Sequence, residues 1–509
     1  MGSLVPSSAF DVLLRNANVN GAYVCDIGIQ DGVVTAIGMH IRASKETEVI
    51  DCECAVVTPG GVDGHVHLSQ DQSPRAKEAG YVAADTITTG TRSAVAGGTT
   101  TVILFAEQSR GQSVAEQVAN YHVVARDLGS YADYGFHAII TDPTPKVLEE
   151  ELPVLAQSGG ITSMKLFLTY KHMRLSDAQF LRALATARKL GMVALVHAEN
   201  GDLVDFFTEQ LEELGLTQTQ YKAVAHPAAA EAEAVNRAVT FSSVMDTPML
   251  IVHVSVKESM SVIRRAQTAL KPVFAETCPQ YLLLGKTRLS EEHFCGAKYI
   301  CSPPLRSDPE DVEAIWRGIV NGTFTIFSSD HCPYRFDDQK GKQLGQTCHS
   351  DGSTTERFTK VPNGLPGVET RVPLLFSEGV LKRKCIDVKR FVELTSENPA
   401  KLYGLYPRKG AIQIGSDADL VIWHPQSTFA PRKLVHSRDL HDNCDYSPYE
   451  GIEFYNWPRR TLLRGQTVFK DGQIMAKNGV GHFIPRQGCG MPYIKLMEGD
   501  WDVLKAAAI

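Results

Sequence analysis

The stretch Pro59-Gly60-Gly61-Val62-Asp63-Gly64-His65-Val66-His67-Leu68 decides how the rest of the chain is read. It is a short apolar run, opened by glycines and closed by two histidines two residues apart. In a strand, side chains i and i+2 share one face. His65 and His67 would therefore point the same way, and two imidazoles on one face can grip one metal ion. The glycines permit a tight approach to such a site. Taken alone, an H-x-H pair is equally well read as chance or structural, so its meaning rests on what recurs downstream.

What recurs is the strand itself. Eight apolar runs alternate with helical patterns: Val62–Leu68, Thr100–Phe105, Tyr134–Ile140, Ser163–Leu168, Met192–His197, Met249–Val254, Val273–Thr277 and Phe324–Phe327. The segments between them include Ser176–Leu190 and Asp308–Ile319, with Ser176-Asp177 and Asp308-Pro309 as helix-start signals. This alternation predicts an α/β fold, a (β/α)8 TIM-like barrel. A doubly wound open sheet is the competing reading.

The two ends have a different texture. Phe10–Asn16, Val24–Gln30 and Val33–Ile37 carry β-formers broken by Asn20-Gly21 and Asp31-Gly32. Ala411–Trp423 and Arg460–Phe469 repeat the pattern, with Gly415-Ser416 and Asp471-Gly472 as turns. We expect residues 1–58 and 406–480 to build one small β-sandwich domain around a barrel of residues 59–405. Residues 481–509 would form a C-terminal tail whose end, Glu498–Ile509 with Trp501, could contact another subunit. At 509 residues the chain is long enough for one barrel-sized domain and a smaller one.

Composition excludes several classes. A formal net charge of −7 gives no basic footprint for nucleic acid. No apolar stretch approaches the roughly 20 residues that span a membrane. The 11 cysteines lack metal-finger or disulfide-framework spacing. With no secretory segment at the start, we expect free thiols and a reducing, cytoplasmic setting. There is no G-x-S-x-G elbow and no Walker loop. Cys278 and Cys332 each sit beside a proline, a poor setting for a thiol nucleophile.

Four more residues lie in or at the end of the strand-like runs. Lys165 falls inside one, where burial is costly unless the amine is paired or neutral. A neutral amine can take up carbon dioxide, and the resulting carbamate can bridge two metals. The alternative is a lysine that snorkels or forms a buried ion pair. His197 and His253 end two further runs. Each alone would be an ordinary core histidine, but together with His65 and His67 they form a ligand set. Asp330, after Phe327-Ser328-Ser329, could bind a metal and shuttle a proton. His331 beside it has no assigned role beyond supporting those ligands. Histidine with carboxylate suits zinc, but also cobalt, manganese or iron.

These strings resemble the cyclic amidohydrolases, and most closely the dihydropyrimidinase/hydantoinase family. The similarity runs from about residue 10 to 480. It includes Met164-Lys165-Leu166-Phe167, His197-Ala198-Glu199-Asn200-Gly201-Asp202, Glu276-Thr277-Cys278-Pro279-Gln280-Tyr281, Ser329-Asp330-His331-Cys332-Pro333 and Pro362-Asn363-Gly364-Leu365-Pro366-Gly367. The resemblance implies two Zn2+ per subunit. His65, His67 and Asp330 would hold one, His197 and His253 the other, with N6-carboxylated Lys165 between them. It implies that Tyr170 steadies the developing oxyanion and that Ser302 and Asn363 hold the substrate's ring amide through their main chain. It further implies a homo-oligomer, a tetramer or a dimer. The substrate would be a small cyclic amide, opened to an N-carbamoyl amino acid.

One stretch departs from the family pattern. Ser69–Tyr81 is polar and a few residues longer, which leaves open allantoin-like, imide or other amide substrates. Ser69 also stands where dihydroorotases carry an arginine. Two rivals remain in view. A non-catalytic scaffold relative would have lost metal ligands, and all six are present here. A mononuclear deaminase would not need Lys165.

Overall fold

The computed structural model describes residues 10–70, 74–307 and 309–493, and of residues 74–76 the main chain only. The eight strand-like runs form one parallel sheet in sequential order. Its strands are Gly61–Val66, Thr99–Glu107, Asp133–Ile139, Ser163–Phe167, Val193–His197, Met249–Ile251, Val273–Thr277 and Ile326–Phe327. The first and last edges meet: His67 N–H donates to His331 O at 2.7 Å, and Val66 bridges His331 in parallel register. That closure rules out the open doubly wound sheet and makes the unit a (β/α)8 barrel.

Alternation along each strand explains the layering. In the fourth strand, Met164 and Leu166 face the helices while Phe167 faces the barrel interior, where it joins Val62, Ile103, Ile139, Leu195 and Ile326. Helices such as Val114–Leu128, Asp177–Leu190, Ala228–Met245 and Lys257–Thr268 cover the outside. Ser176 caps its helix as expected, in a capping box with Gln179. The other expected start shifts: the helix runs Glu310–Asn321 with Pro309 at its cap, and Asp308 lies outside the described residues.

Both ends of the chain build a second, nine-stranded sheet. Strand Val12–Val19 pairs in parallel with Glu48–Asp51 over its first half and with Val56–Pro59 over its second. The C-terminal strand Leu420–Trp423 then pairs with Val56–Pro59, which joins the two ends. The turn signals hold. Asn20-Gly21, Asp31-Gly32 and Asp471-Gly472 all have positive φ at both residues; the last two are two-residue hairpin turns, while Asn20-Gly21 opens a three-residue turn that Ala22 completes. Two expected strands change. Arg460–Phe469 is not one strand but a hairpin of Pro458–Leu463 and Gln466–Lys470, turning at Arg464-Gly465 with φ of 45° and 75°. Ala411–Trp423 is extended only over Leu420–Trp423, the chain turning at Gly415 with a φ of 94° before Asp417 and Asp419 reach Lys409.

Residues 482–486 of the C-terminal segment dock on the same chain's barrel. Tyr134 N–H donates to His482 O at 2.9 Å and Ile484 N–H to Tyr134 O at 2.8 Å. Ile484, with Leu402 and Tyr403, packs into the barrel's interior cluster. Glu498–Ile509, including Trp501, lies outside the described residues. Among the described residues, no helix is long and apolar enough to cross a membrane.

Candidate active site

A cavity of about 420 Å³ opens at the C-terminal ends of the barrel strands, and all six candidate ligands line it. His65, His67 and Asp330 bring one ligand atom each to within 4.8 Å of one another. Asp330 Oδ1 stands 3.2 Å from His65 Nε2 and 3.5 Å from His67 Nε2. Lys165 Nζ lies 3.4 Å from His65 Nε2. His197 Nδ1 and His253 Nε2 face each other at 2.9 Å. The rings of His65 and His253, 5.6 Å apart, join the two halves of the cluster.

Supporting acceptors decide which nitrogen three of the four imidazoles present. His65 Nδ1–H donates to Glu276 Oε1 at 2.6 Å, which leaves Nε2 facing Asp330 and Lys165. His67 Nδ1–H donates to Gln70 Oε1 at 2.7 Å, which leaves Nε2 inward. His197 Nε2–H donates to Glu199 Oε2 at 2.8 Å, which leaves Nδ1 facing His253. Such partners fix tautomer and ring orientation for a metal. Glu199 is itself held by His226, which contacts Lys222.

Electrostatics favour neutral ligands. Burial holds His65 and His253 well below the usual imidazole range, and lowers His197 as well. Burial also draws the Lys165 amine down to about 8, against the opposing pull of Glu276 and Asp330. Glu276 is pushed up to about 7 by burial, with Lys165 working against the shift. Burial raises Asp330, but His65 and His67 outweigh it and hold the carboxyl below its ordinary value. Neutral imidazole lone pairs, a carboxylate and a deprotonatable amine converge in one buried cluster. This donor set fits a metal cofactor.

Three residues of the site hold a strained backbone. His253, Asp330 and Tyr170 all adopt positive φ, at 41°, 49° and 64°. Non-glycine residues hold such conformations at a cost of order 1–3 kcal/mol each, mostly at functional sites. Tyr170 lines the cavity with its ring 5.3 Å from that of His197. Ser302 and Asn363 also line the cavity, Ser302 Oγ donating to Asn363 Oδ1 at 3.2 Å.

Several features escaped the sequence reading. The polar loop after His67 does not simply polarise the mouth. Gln70 turns back onto His67, while Ala79, Tyr81 and Ala83 line the cavity. Residues 71–73 of that loop lie outside the described residues. His331 faces away from the cavity centre. Its Nδ1 accepts the Gly367 N–H at 3.0 Å, and Nε2 lies 3.2 Å from Asp85. Cys278 is buried, its thiol pushed well above the ordinary range by burial, which makes it a poor nucleophile. Glu276 carried no local signal for its role, because only the folded sheet brings it to His65; Gln70 and Glu199 lie three and two residues past their histidines, a spacing that does not by itself mark an acceptor.

With this geometry in hand, comparison with known proteins is decisive. Residues 56–468 match the model of the Amidohydrolase family. The chain belongs to the amidohydrolase family. Within it, this amidohydrolase is 37% identical to a D-hydantoinase of Geobacillus stearothermophilus over 97% of the chain and 99% of that protein. It is 37% identical to a D-phenylhydantoinase of Escherichia coli O1:K1 / APEC, covering 94% and 98% of the two chains. The solved structure of a dihydropyrimidinase from Brevibacillus agri NCHU1002 superposes with a TM-score of 0.87 at 37% identity, covering 94% of this chain and 99% of that one. This amidohydrolase is therefore a cyclic amide hydrolase of the hydantoinase/dihydropyrimidinase type, acting on a small molecule.

Proposed function

We propose that the chain opens the ring amide of hydantoins or dihydropyrimidines to N-carbamoyl amino acids, using two zinc ions. One observation carries this reading: six residues in or just after five barrel strands line a single cavity. His65, His67 and Asp330 would hold one ion and His197 and His253 the other, with carboxylated Lys165 between them. When bound, such a pair supplies hydroxide near neutral pH and polarises the carbonyl.

The protein's own groups do the rest. The Tyr170 hydroxyl donates to the oxygen on which charge develops. Asp330 takes the proton of the attacking water and delivers it to the leaving ring nitrogen. The main chain at Ser302 and Asn363 holds the amide edge of the ring. Tyr81, Tyr334, Met173 and Leu344 at the cavity wall would receive an apolar substituent outside the ring. D-Hydantoinase and D-phenylhydantoinase relatives support that preference. A homotetramer belongs to the same reading and is checked by light scattering on the eluting protein.

The test is hydrolysis of a panel by purified zinc-loaded protein: dihydrouracil, hydantoin, a 5-aryl hydantoin, allantoin, succinimide and dihydroorotate, beside a chelated control. Chelator-sensitive opening of hydantoins or dihydrouracil to the N-carbamoyl product is expected. Turnover of allantoin or succinimide alone would overturn the substrate assignment. Undiminished turnover after complete metal removal would overturn the metal reading.

A further inference from the structure

One buried cation beside this site has no part in the chemistry above. Lys342 begins the short turn Lys342–Gly345 and is fully buried. Its ammonium donates to three main-chain carbonyls: Ile300 O at 3.0 Å, Pro362 O at 2.7 Å and Gly364 O at 2.8 Å. An ammonium has three N–H donors, so every one is used. Among the described residues no carboxylate pairs with it, and burial draws its pKa down to about 7. A buried charge compensated by carbonyl dipoles and the Tyr334 ring, 5.7 Å from the ammonium, with no carboxylate, is costly, and an apolar side chain would fill the space more favourably. The arrangement makes sense if the carbonyls need to be held where they are.

Those carbonyls bracket the substrate wall. Ile300 lies two residues before Ser302, while Pro362 and Gly364 flank Asn363 on both sides. Gly364 N–H also donates to Ile300 O at 3.0 Å, so the two segments are tied at one point. From the other side, a Cβ on Gly364 would fall 2.2 Å from Cys332 O, at a φ of 149°. The segment 362–364 is thus trapped between Lys342 and the turn that follows Asp330. Lys342 is itself anchored, its N–H donating to Arg335 O at 2.9 Å.

We propose that Lys342 is a positioning residue for the ring amide, setting the gap between the main chain at Ser302 and at Asn363. The proposal rests on the reading that these two residues hold the substrate ring. Because the ring amide is common to all substrates, Lys342 would act on every substrate alike, whatever its exocyclic group.

The experiment is steady-state kinetics of metal-loaded Lys342→Met, which keeps chain length and removes the donors, on dihydrouracil, hydantoin and a 5-aryl hydantoin. KM should rise roughly ten-fold, the loss of hydrogen bonds from a charged donor. It should do so by the same factor for all three substrates. Metal content should stay at wild-type level, and kcat within about three-fold. If Lys342→Met does not fold, Lys342→Arg, which keeps the charge but cannot place three donors on these carbonyls, is read by the same criteria. An unchanged KM, or a rise confined to the 5-aryl substrate, overturns the proposal. A structure with bound hydantoin separates the two readings. A ring lying away from Ser302 and Asn363 sinks the assignment of that wall, whereas a ring seated there with unchanged KM in the variant sinks the role of Lys342 alone.

Discussion

Glu276 Oε1 lies 2.6 Å from His65 Nδ1 and also accepts the main-chain N–H of His253 at 3.1 Å. One carboxylate oxygen on the seventh strand thus orients a candidate ligand from the first strand and fixes the backbone of another candidate after the sixth. Glu276→Gln keeps the shape but weakens the acceptor and removes the charge. Metal affinity should fall about 10–100-fold, as when other outer partners of histidine ligands are lost. Competition against a chelator of known affinity measures it. Wild-type affinity in the variant would show that Glu276 serves packing only.

Lys165 sits 1% exposed among Phe105, Phe167 and His65, with its amine brought down to about 8. The sign matters: a lowered lysine pKa enlarges the neutral fraction at pH 7–8, and only the neutral amine reacts with carbon dioxide. Lys165→Ala should therefore empty or halve the metal content. Reconstitution of the wild-type apoprotein should be slower in CO2-free buffer than in bicarbonate. Full metal content and full activity in Lys165→Ala would sink the carbamate.

The candidate ligands were legible because a histidine at or near the end of an apolar run does not belong in a core, as at His197 and His253. Lys165 stood out for the same reason. Supporting residues were not, since nothing near Gln70 or Glu199 in the sequence distinguishes a histidine's acceptor from a surface polar group. Lys342 was invisible for a related reason, because its three partners are carbonyls, which every residue has. The hairpin at Arg464 escaped because arginine carries no left-handed turn signal, unlike the Asn-Gly and Asp-Gly pairs that were found.

Tyr170 holds a left-handed backbone at φ 64° with its ring against His197, a conformation that aims the side chain into the cavity. If its hydroxyl meets the developing oxyanion, Tyr170→Phe should lower kcat by roughly 10²-fold, the loss of one oxyanion donor. KM should change far less, because the interaction strengthens only as charge appears. Initial rates at saturating hydantoin decide this, and an unchanged kcat would reduce Tyr170 to packing.

Lys409 ties the barrel to the terminal sheet. It is 1% exposed, and its Nζ meets Asp133 at 2.6 Å, Asp419 at 2.7 Å and Asp417 at 3.0 Å. Asp133 opens the third barrel strand, and the other two aspartates lead into Leu420–Trp423. Burial would lower the lysine, but the three carboxylates outweigh it and hold its pKa above the usual value. A raised lysine contributes stability that is complete below its unfolded pKa, about 10.4, and fades only as pH climbs through the folded value. The wild type should thus lose nothing from this cluster across the neutral range. Lys409→Met strands the buried Asp419, while Arg464 still pairs Asp133 and Arg408 still pairs Asp417, and should cost about 3–5 kcal/mol. In the variant the stranded Asp419 should have a raised pKa, so its penalty is greatest at high pH and shrinks as it takes up a proton. The gap in Tm between wild type and variant should therefore narrow from pH 8 to pH 5. A gap that stays constant over that range would mean the loss comes from packing rather than from unpaired charge.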